Sequence, residues 1–256
     1  MSPQTKDFRL ALSTVRIHGP DAGAFLQSQL TLDVESIAPG TLRPAAWCRP
    51  DGRVDAVMLV GDAADGSWLV LPATLADTVA DRLRMFSIGR RVEIDRAAGG
   101  PVPADASSGL ALTCDPERAL TIDEAAATLP LPDSWLARDI DCGMPWILPE
   151  TQAAFLPQML GLDALDGLSY AKGCFPGQEV IARVHYRGRV TRRTVRFELD
   201  GNGPVPAPGS AFDDGDGTVL YAVAGTPPRG LAVVPADAAA GAPVTVSGRT
   251  ARLVGA

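Results

Sequence analysis

Lys172-Gly173-Cys174-Phe175-Pro176-Gly177-Gln178-Glu179 brings a cation, a thiol and two glycines into one short run, where plain packing would ask for none of them. Lysine occurs elsewhere only at Lys6, the other strong cations being arginine, so Lys172 stands against a bias toward Arg, Ala, Gly and Pro that runs through the whole chain. Gly173 and Gly177 open backbone angles closed to other residues, and Pro176 stiffens the turn between them, so a thiol can be held clear of regular structure. A cation two residues from Cys174 can stabilise the thiolate, the form that acts as nucleophile or metal ligand, with Glu179 opposing that field. Gln178 offers two donors and an acceptor to an amide- or pterin-like partner. The bare K-G-C core also reads as a glycine turn leading a buried cysteine into a strand.

The charge around this run departs from the chain average. Lys172, Arg183, Arg187, Arg189, Arg192, Arg193 and Arg196 face the single acid Glu179 across residues 172–196, in a protein of net charge -7. The acidic whole argues against general nucleic-acid binding, while the basic segment leaves a local patch for RNA open; its plain alternative is a solvated barrel face. His18 and His185 are the only histidines, which excludes a multi-histidine metal centre and disfavours Ser-His-Asp or Cys-His chemistry. Cys48, Cys114, Cys142 and Cys174 are dispersed without a C-x-x-C pair, so neither a zinc site nor a disulfide framework is signalled and reduced thiols are expected. No run approaches the roughly 18 apolar residues of a membrane span, and Lys6, Asp7 and Arg9 stand where a signal peptide needs an apolar core. A cytoplasmic monomer without membrane association is expected.

With 256 residues, 46% of them hydrophobic, the chain can bury a sizeable core as one large domain or two to three small ones. Residues 8–17 read as a strand, followed by a Gly19-Pro20-Asp21 turn whose aspartate caps a helix over 22–30. Strands are expected at 53–60 and 67–71 around a turn-rich 61–66. A helix from a Thr74 cap to Phe86 follows, with Leu75, Val79, Leu83 and Phe86 on its apolar face, and then a short strand at 91–94. Residues 97–108, rich in Gly, Pro, Ser and Ala, read as a linker. Beyond it come short strands at 110–113 and 119–122 and a helix near 151–155 that ends before Pro157. Strands at 180–184 and 190–199 flank the basic segment, and strands at 219–223, 231–234, 244–246 and 251–254 have the spacing of a small antiparallel barrel or sandwich.

The run K-G-C-F-P-G-Q-E and its continuation V-I-A-R-V-H-Y-R-G, residues 172–188, closely resemble the K-G-C-Y-x-G-Q-E signature of the YgfZ-type folate-binding proteins, relatives of the glycine-cleavage T-protein. Residues 25–34, F-L-Q-S-Q-L-T-L-D-V, are similar to that family's F-x-Q-G-Q-x-T-x-D-V segment, and Asp51-Gly52-Arg53 to its D-x-x-G-[KR] turn. Residues 135–145, W-L-A-R-D-I-D-C-G-M-P, and Phe155-Leu156-Pro157-Gln158 match in order and spacing. The likeness covers about residues 8–196, with a looser fit beyond.

The resemblance implies an α+β, T-protein-like folate-binding fold with antiparallel sheets and a C-terminal β-barrel, in three subdomains around a central opening. It divides the chain into a discontinuous core (1–45 and 97–185), an inserted α+β subdomain (46–96) and a barrel domain (186–256). It implies a protein that binds tetrahydrofolate or a derivative, supports assembly or repair of iron-sulfur enzymes such as those that thiolate tRNA, and so affects tRNA modification. Cys174 and Lys172 would be the working groups. Trp135, Gln178, Glu179, Arg187, Leu12 and Glu150 would belong to the folate site, Trp135 as the family's pocket aromatic and Leu12 where a second aromatic is expected. A pterin wants an aromatic or apolar wall, donors and a carboxylate, and its glutamate tail wants arginines. Taken singly, Trp135 also reads as a core aromatic, Glu150 as a surface carboxylate and His185 as a strand side chain.

Aminomethyl transfer in T-proteins depends on a helix aspartate after a V-x-N-A segment. Here the segment is Val70-Leu71-Pro72-Ala73, Val79 stands at the aspartate position, and Asp77 lies on another helical face. A classical enzyme is therefore not expected. A folate-dependent C1 transferase and a tRNA-binding module remain the rival readings, and the chemistry of Cys174 and the client enzyme stay open.

Overall fold

Hydrophobic runs rather than strict alternation build the centre of the molecule: Val54 and every residue from Ala56 to Val60 are apolar and buried, as a strand covered on both faces requires. The computed structural model describes residues 8–63, 66–96, 100–123 and 128–255. Its larger sheet contains β1 (Leu12–His18), β2 (Thr41–Cys48), β3 (Val54–Ala63), β4 (Gly66–Pro72), β5 (Glu93–Arg96), β6 (Gly100–Asp105), β7 (Leu110–Leu112) and β8 (Asp115–Asp123). The strand order is β5-β1-β4-β3-β2-β7-β8-β6. Neighbours are antiparallel except β2 and β7, which run parallel through Thr41–Ala111 and Leu42–Leu112. The sheet curls enough that Gly100, on the β6 edge, comes up against the Leu12 carbonyl of β1, where an added Cβ would stand 3.3 Å away.

α1 (Ala22–Gln27) and α2 (Ala73–Phe86) pack on this sheet, and α3 (Asp133–Asp141) adds Leu136 and Ile140 to the same core. α2 seats Leu75, Val79 and Leu83 in the core, as their spacing requires. Residues 46–96 supply β3, β4, α2 and β5 to the same sheet and share one core with β1 and β2.

The C-terminal part is a five-stranded antiparallel sheet of order β10-β11-β9-β13-β12, formed by β9 (Arg192–Leu199), β10 (Thr218–Val223), β11 (Arg229–Pro235), β12 (Pro243–Val246) and β13 (Arg249–Val254). Ala211 bridges Thr218 on one edge strand and Phe212 bridges Val246 on the other, which closes the sheet into a barrel. Val195, Phe197, Leu199, Phe212, Val234 and Leu253 fill its interior. Leu220, Tyr221, Leu231 and Val233 belong instead to the core of the larger sheet, and the Tyr221 hydroxyl donates to the Met144 carbonyl at 2.8 Å. The barrel is therefore fastened to the body by buried apolar surface and a satisfied polar tip.

Several local expectations are corrected. Residues 180–184 are not a strand but the middle of α4 (Gln178–Arg187). The β-branched Val180, Ile181 and Val184 suggest a strand, yet Glu179 in the first turn and His185 and Arg187 in the last suit the helix dipole, and only Ile181 is buried. The helix expected near 151–155 is a 3-10 turn at Pro149–Thr151. Beyond it the backbone pairs with Val54, through Ala153 N–H to Val54 O at 2.8 Å and Val54 N–H to Phe155 O at 2.9 Å. Within the expected linker, residues 97–99 lie outside the described residues and 100–105 form β6. α1 stops at Gln27, and Asp21 does not cap it; its carboxylate accepts the Arg91 backbone N–H at 2.8 Å and pairs with the Arg91 guanidinium at 2.9 Å. Phe86 is 55% exposed rather than buried on the apolar face of α2. β2 and α3 were not anticipated.

Candidate functional site

Four segments far apart in sequence meet at the loop 172–179. The Lys172 ammonium donates to the Leu30 carbonyl at 2.7 Å and also to the Leu32 carbonyl. Those carbonyls are presented by a loop that folds on its own side chains: Gln27 donates to Asp33 and accepts from the Val34 N–H, both at 2.8 Å. Thr31 pins the same loop by donating to Gly167 O at 2.7 Å and accepting the Ala46 N–H at 2.8 Å. The polar residues Gln27, Thr31 and Asp33 thus build a seat for Lys172.

The turn at Asp51-Gly52-Arg53 packs against the other end of the loop. Gly177 has φ +80°, and an added Cβ would lie 2.5 Å from the Gly52 Cα and from the Arg49 carbonyl, so glycine is required there for both conformation and space. Gln158 then ties in the segment 155–158 by donating to Ile181 O in α4 at 2.7 Å. Phe175 is buried and anchors the loop, while the neighbouring Cys174 is exposed.

Burial pushes the Lys172 ammonium down to about 8, with Asp33 and Glu35 partly opposing the shift. Its hydrogen bonds go to carbonyls, and its Nζ lies 5.5 Å from the Phe175 ring centroid. The cation therefore acts as a clamp of the loop, and not as a hydrogen-bond donor to Cys174. The expectation that K-G-C might introduce a strand with a buried cysteine is overturned: a helix follows, and the thiol faces solvent. Such a thiol can react with a molecule arriving from outside.

Gln178 opens α4 and donates to the Lys172 carbonyl at 3.5 Å, closing the loop, whereas Glu179 is exposed in the first turn. Arg187 sits at the far end of this ten-residue helix, roughly 14 Å from Gln178 by helical rise. With Ala182, Arg183 and Tyr186 it lines a wide surface concavity of about 570 Å³. Tyr186 is exposed, and His185 is stacked on Tyr170 with ring centroids 3.8 Å apart, so His185 is a helix residue and not the strand side chain expected.

Trp135 and Glu150 fall in two other places. Trp135, in α3, lines a pocket of about 480 Å³ with Pro103, Asp105, Glu117, Arg118 and Arg138. The Arg118 guanidinium lies 4.5 Å from the centroid of the Trp135 ring, itself gripped by Asp115 at 2.7 Å and paired with Asp139 at 2.8 Å. Asp139 is buried, accepts from Trp146 Nε1 at 2.8 Å, and is pushed up to about 6 by desolvation against the pull of Arg118. Glu150 lines a separate pocket of about 350 Å³ with Phe8, Arg9, Leu10, Thr74 and Val205, where barrel and body meet. Leu12 is buried in the core and is not among the residues lining that pocket; Phe8 supplies its aromatic. Neither pocket is lined by residues 172–179.

Val79 is buried, and Asp77 forms an ion pair with Arg96, so the described face of α2 presents no free carboxylate in place of Val79. Sequence reasoning missed the Arg118–Asp115–Asp139 group, whose members become neighbours only when β8 meets α3. It also missed a grouping of His18 with the exposed Glu93 and Asp95, in which His18 Nε2 lies 2.7 Å from Asp95; an ordinary side-chain hydrogen bond accounts for it.

No protein-family model matches the chain. It is 29% identical over 196 residues to an uncharacterized protein of Haemophilus influenzae, covering 72% of this chain and 70% of that one. It is also 29% identical over 228 residues to the tRNA-modifying protein YgfZ of Edwardsiella ictaluri, covering 73% and 68%. Among solved structures, the glycine cleavage system aminomethyltransferase T of Bartonella henselae superposes with a TM-score of 0.68 at 16% identity, over 98% of this chain and 86% of that one. The fold is that of the aminomethyltransferase.

Proposed function

We propose that this chain, a YgfZ-type protein, is a tetrahydrofolate-binding accessory factor for the assembly or repair of iron-sulfur enzymes, through which it affects tRNA modification. The observation that carries the reading is the convergence of residues 25–34, 51–53, 155–158 and 172–179 on one loop, which holds an exposed Cys174 beside a half-buried clamp at Lys172. So many separate segments are invested in the shape of that loop that its thiol is the natural working group. The same loop appears in the sequence as the family signature, and the relatives named YgfZ are tRNA-modifying proteins.

For the folate, the pocket at Glu150 fits best. It lies at a junction of barrel and body, a common location for small-molecule sites, and joins the aromatic Phe8, the hydroxyl of Thr74, the carboxylate of Glu150 and the guanidinium of Arg9. Glu150 would accept from the pterin ring N–H groups, Phe8 would supply a wall, and Arg9 would face a glutamate carboxylate. Folate carries one-carbon units when bound. This chain's residues would bind and orient it, and with Val79 where the resemblance puts a catalytic aspartate, no carboxylate there is available to assist a transfer.

Calorimetric titration with tetrahydrofolate tests this directly. Binding weakened at least about tenfold by Glu150→Gln, the cost of one charge-assisted hydrogen bond, and nearly unchanged in Trp135→Phe is the expected outcome. No binding by the wild type would remove the folate reading, and loss only in Trp135→Phe would move the site to the other pocket. Turnover with an aminomethyl donor would favour the transferase reading instead.

A second reading has its own observation. Arg183, Arg187 and Arg189 are exposed and form no ion pair among the described residues, and Arg183 and Arg187 line one surface concavity with the exposed Tyr186. Such a face suits tRNA, and it predicts an affinity that falls steeply with salt. Absence of any tRNA binding at low salt would eliminate it.

A further inference from the structure

The apolar stripe of α2 runs off the end of its own core. Leu75, Val79 and Leu83 are buried, while Phe86, the next position in that spacing, is 55% exposed, and its neighbours Met85 and Ile88 are 69% and 84% exposed. Single exposed apolar side chains are ordinary on a protein surface. Here three fall within four residues, out of seven large ones exposed among all the described residues, and they form a patch. Its surroundings are basic: residues 82–91 hold Arg82, Arg84, Arg90 and Arg91 and no acid, in a chain of net charge -7.

The segment is held in shape by its own bonds. The Ser87 N–H donates to Leu83 O at 3.0 Å and the Arg90 N–H to Ser87 O at 2.9 Å. The Arg84 guanidinium donates to Ile94 O at 2.8 Å, Asp21 pairs with Arg91 at 2.9 Å, and Arg90 lies 5.6 Å from the Phe25 ring centroid. A surface ordered in advance loses little entropy when a partner binds. Two chains of contact also join this patch to the loop of Cys174. Phe86 meets the Trp47 ring edge-on with centroids 6.1 Å apart, Trp47 bridges Leu30, and Leu30 O accepts from Lys172. On the other side Arg82 lies over Trp47 and shares Asp55 with Arg49, whose carbonyl abuts Gly177.

We propose that Met85, Phe86 and Ile88, with their arginine rim, are the docking surface for the iron-sulfur enzyme that Cys174 serves, a protein presenting an apolar recess bordered by carboxylates. This rests on the function proposed above and concerns how the partner is held, not the chemistry of the thiol. A second copy of the chain suits the patch poorly, since a twofold contact would bring two arginine rims together. A bilayer suits it poorly as well. Leu75, Val79 and Leu83 already face the protein's own core, which leaves one turn of apolar side chains to insert, and the acidic chain as a whole is repelled by anionic lipid.

The test measures binding of the full chain to one purified iron-sulfur enzyme that thiolates tRNA, by biolayer interferometry. Saturable binding is expected for the wild type and equally for Cys174→Ala, weakened at least about tenfold by Ile88→Asp or Met85→Ser, as for an interface anchor. Both side chains are mostly exposed, so circular dichroism and melting of these variants should match the wild type. In a strain lacking the gene, Ile88→Asp should fail at native expression and recover on overproduction, because mass action offsets weak docking, whereas Cys174→Ala should fail at both levels. Equal binding by wild type and Ile88→Asp would overturn the surface and leave the role of Cys174 standing. Rescue by Cys174→Ala, with binding still lost in Ile88→Asp, would remove the thiol and keep the surface. No binding by the wild type would overturn the partner. Dimerisation in light scattering, or binding to vesicles of anionic phospholipid, if abolished by Ile88→Asp, would overturn it in favour of a second copy or a bilayer.

Discussion

The loop at Cys174 and the charged group around Arg118 occupy opposite kinds of environment. Cys174 is exposed, on a loop held by carbonyls, glycines and a clamp lysine, and no second thiol stands beside it among the described residues. Arg118 is buried, pairs with Asp115 and the buried Asp139, and lies 3.7 Å from the half-buried Cys142. A lone exposed thiol on a clamped loop suits chemistry with another molecule, whereas a buried charge network joins β8 to α3.

The largest effect is expected where the charges are buried. Arg118→Met leaves the buried Asp139 without its cation and Asp115 with Arg138 alone, and should cost about 3–5 kcal/mol in urea unfolding; a loss under about 1 kcal/mol would mean that Asp139 does not rest on that cation. Next, Gly177→Ala should cost about 2–4 kcal/mol, from left-handed backbone strain and the clash with Gly52. It should also disturb the reaction of the exposed Cys174 with a thiol reagent while that of the half-buried Cys142 stays unchanged. Equal disturbance of both thiols would erase the contrast between the two regions.

A smaller effect separates them by pH. The folded-state value of Lys172 is lowered, from 10.5 to about 8, so between those values the unfolded chain holds a proton that the folded chain has released. Wild-type stability should therefore rise, relative to Lys172→Met, as pH increases from about 8 to 10.5. Parallel stability curves for the two proteins in that window would show that the clamp is not buried as described. The smallest effect belongs to Arg183→Ala and Arg187→Ala, which should change stability by less than about 0.5 kcal/mol while weakening any salt-dependent tRNA binding.

Much of this was legible in the sequence, for physical reasons. The period of Leu75, Val79 and Leu83 gives α2, and the spacing of the last strands gives the barrel, because side-chain periodicity follows directly from helix and strand geometry. The run 172–179 was legible as a site because lysine, cysteine and glycine together have no packing rationale. α4 was misread because Val180, Ile181 and Val184 prefer strands, while the signals for a helix lie in its charged ends and in the left-handed Gly177 before it. Trp135 and Glu150 were assigned to one folate site, yet they line different pockets; which pocket a side chain enters depends on how β8, α3 and the barrel pack, and that is not a local property. The pairing of Arg118 with Asp139 was invisible for the same reason, since β8 and α3 must pack before the charges meet.

The central claim is that the protein works through Cys174, and rescue of a strain lacking its gene tests that most directly. With iron-sulfur enzyme activity and tRNA thiolation as readouts, Cys174→Ala and Lys172→Ala, each verified as folded by circular dichroism, should fail to restore function where the wild type succeeds. Full rescue by both variants would contradict the account.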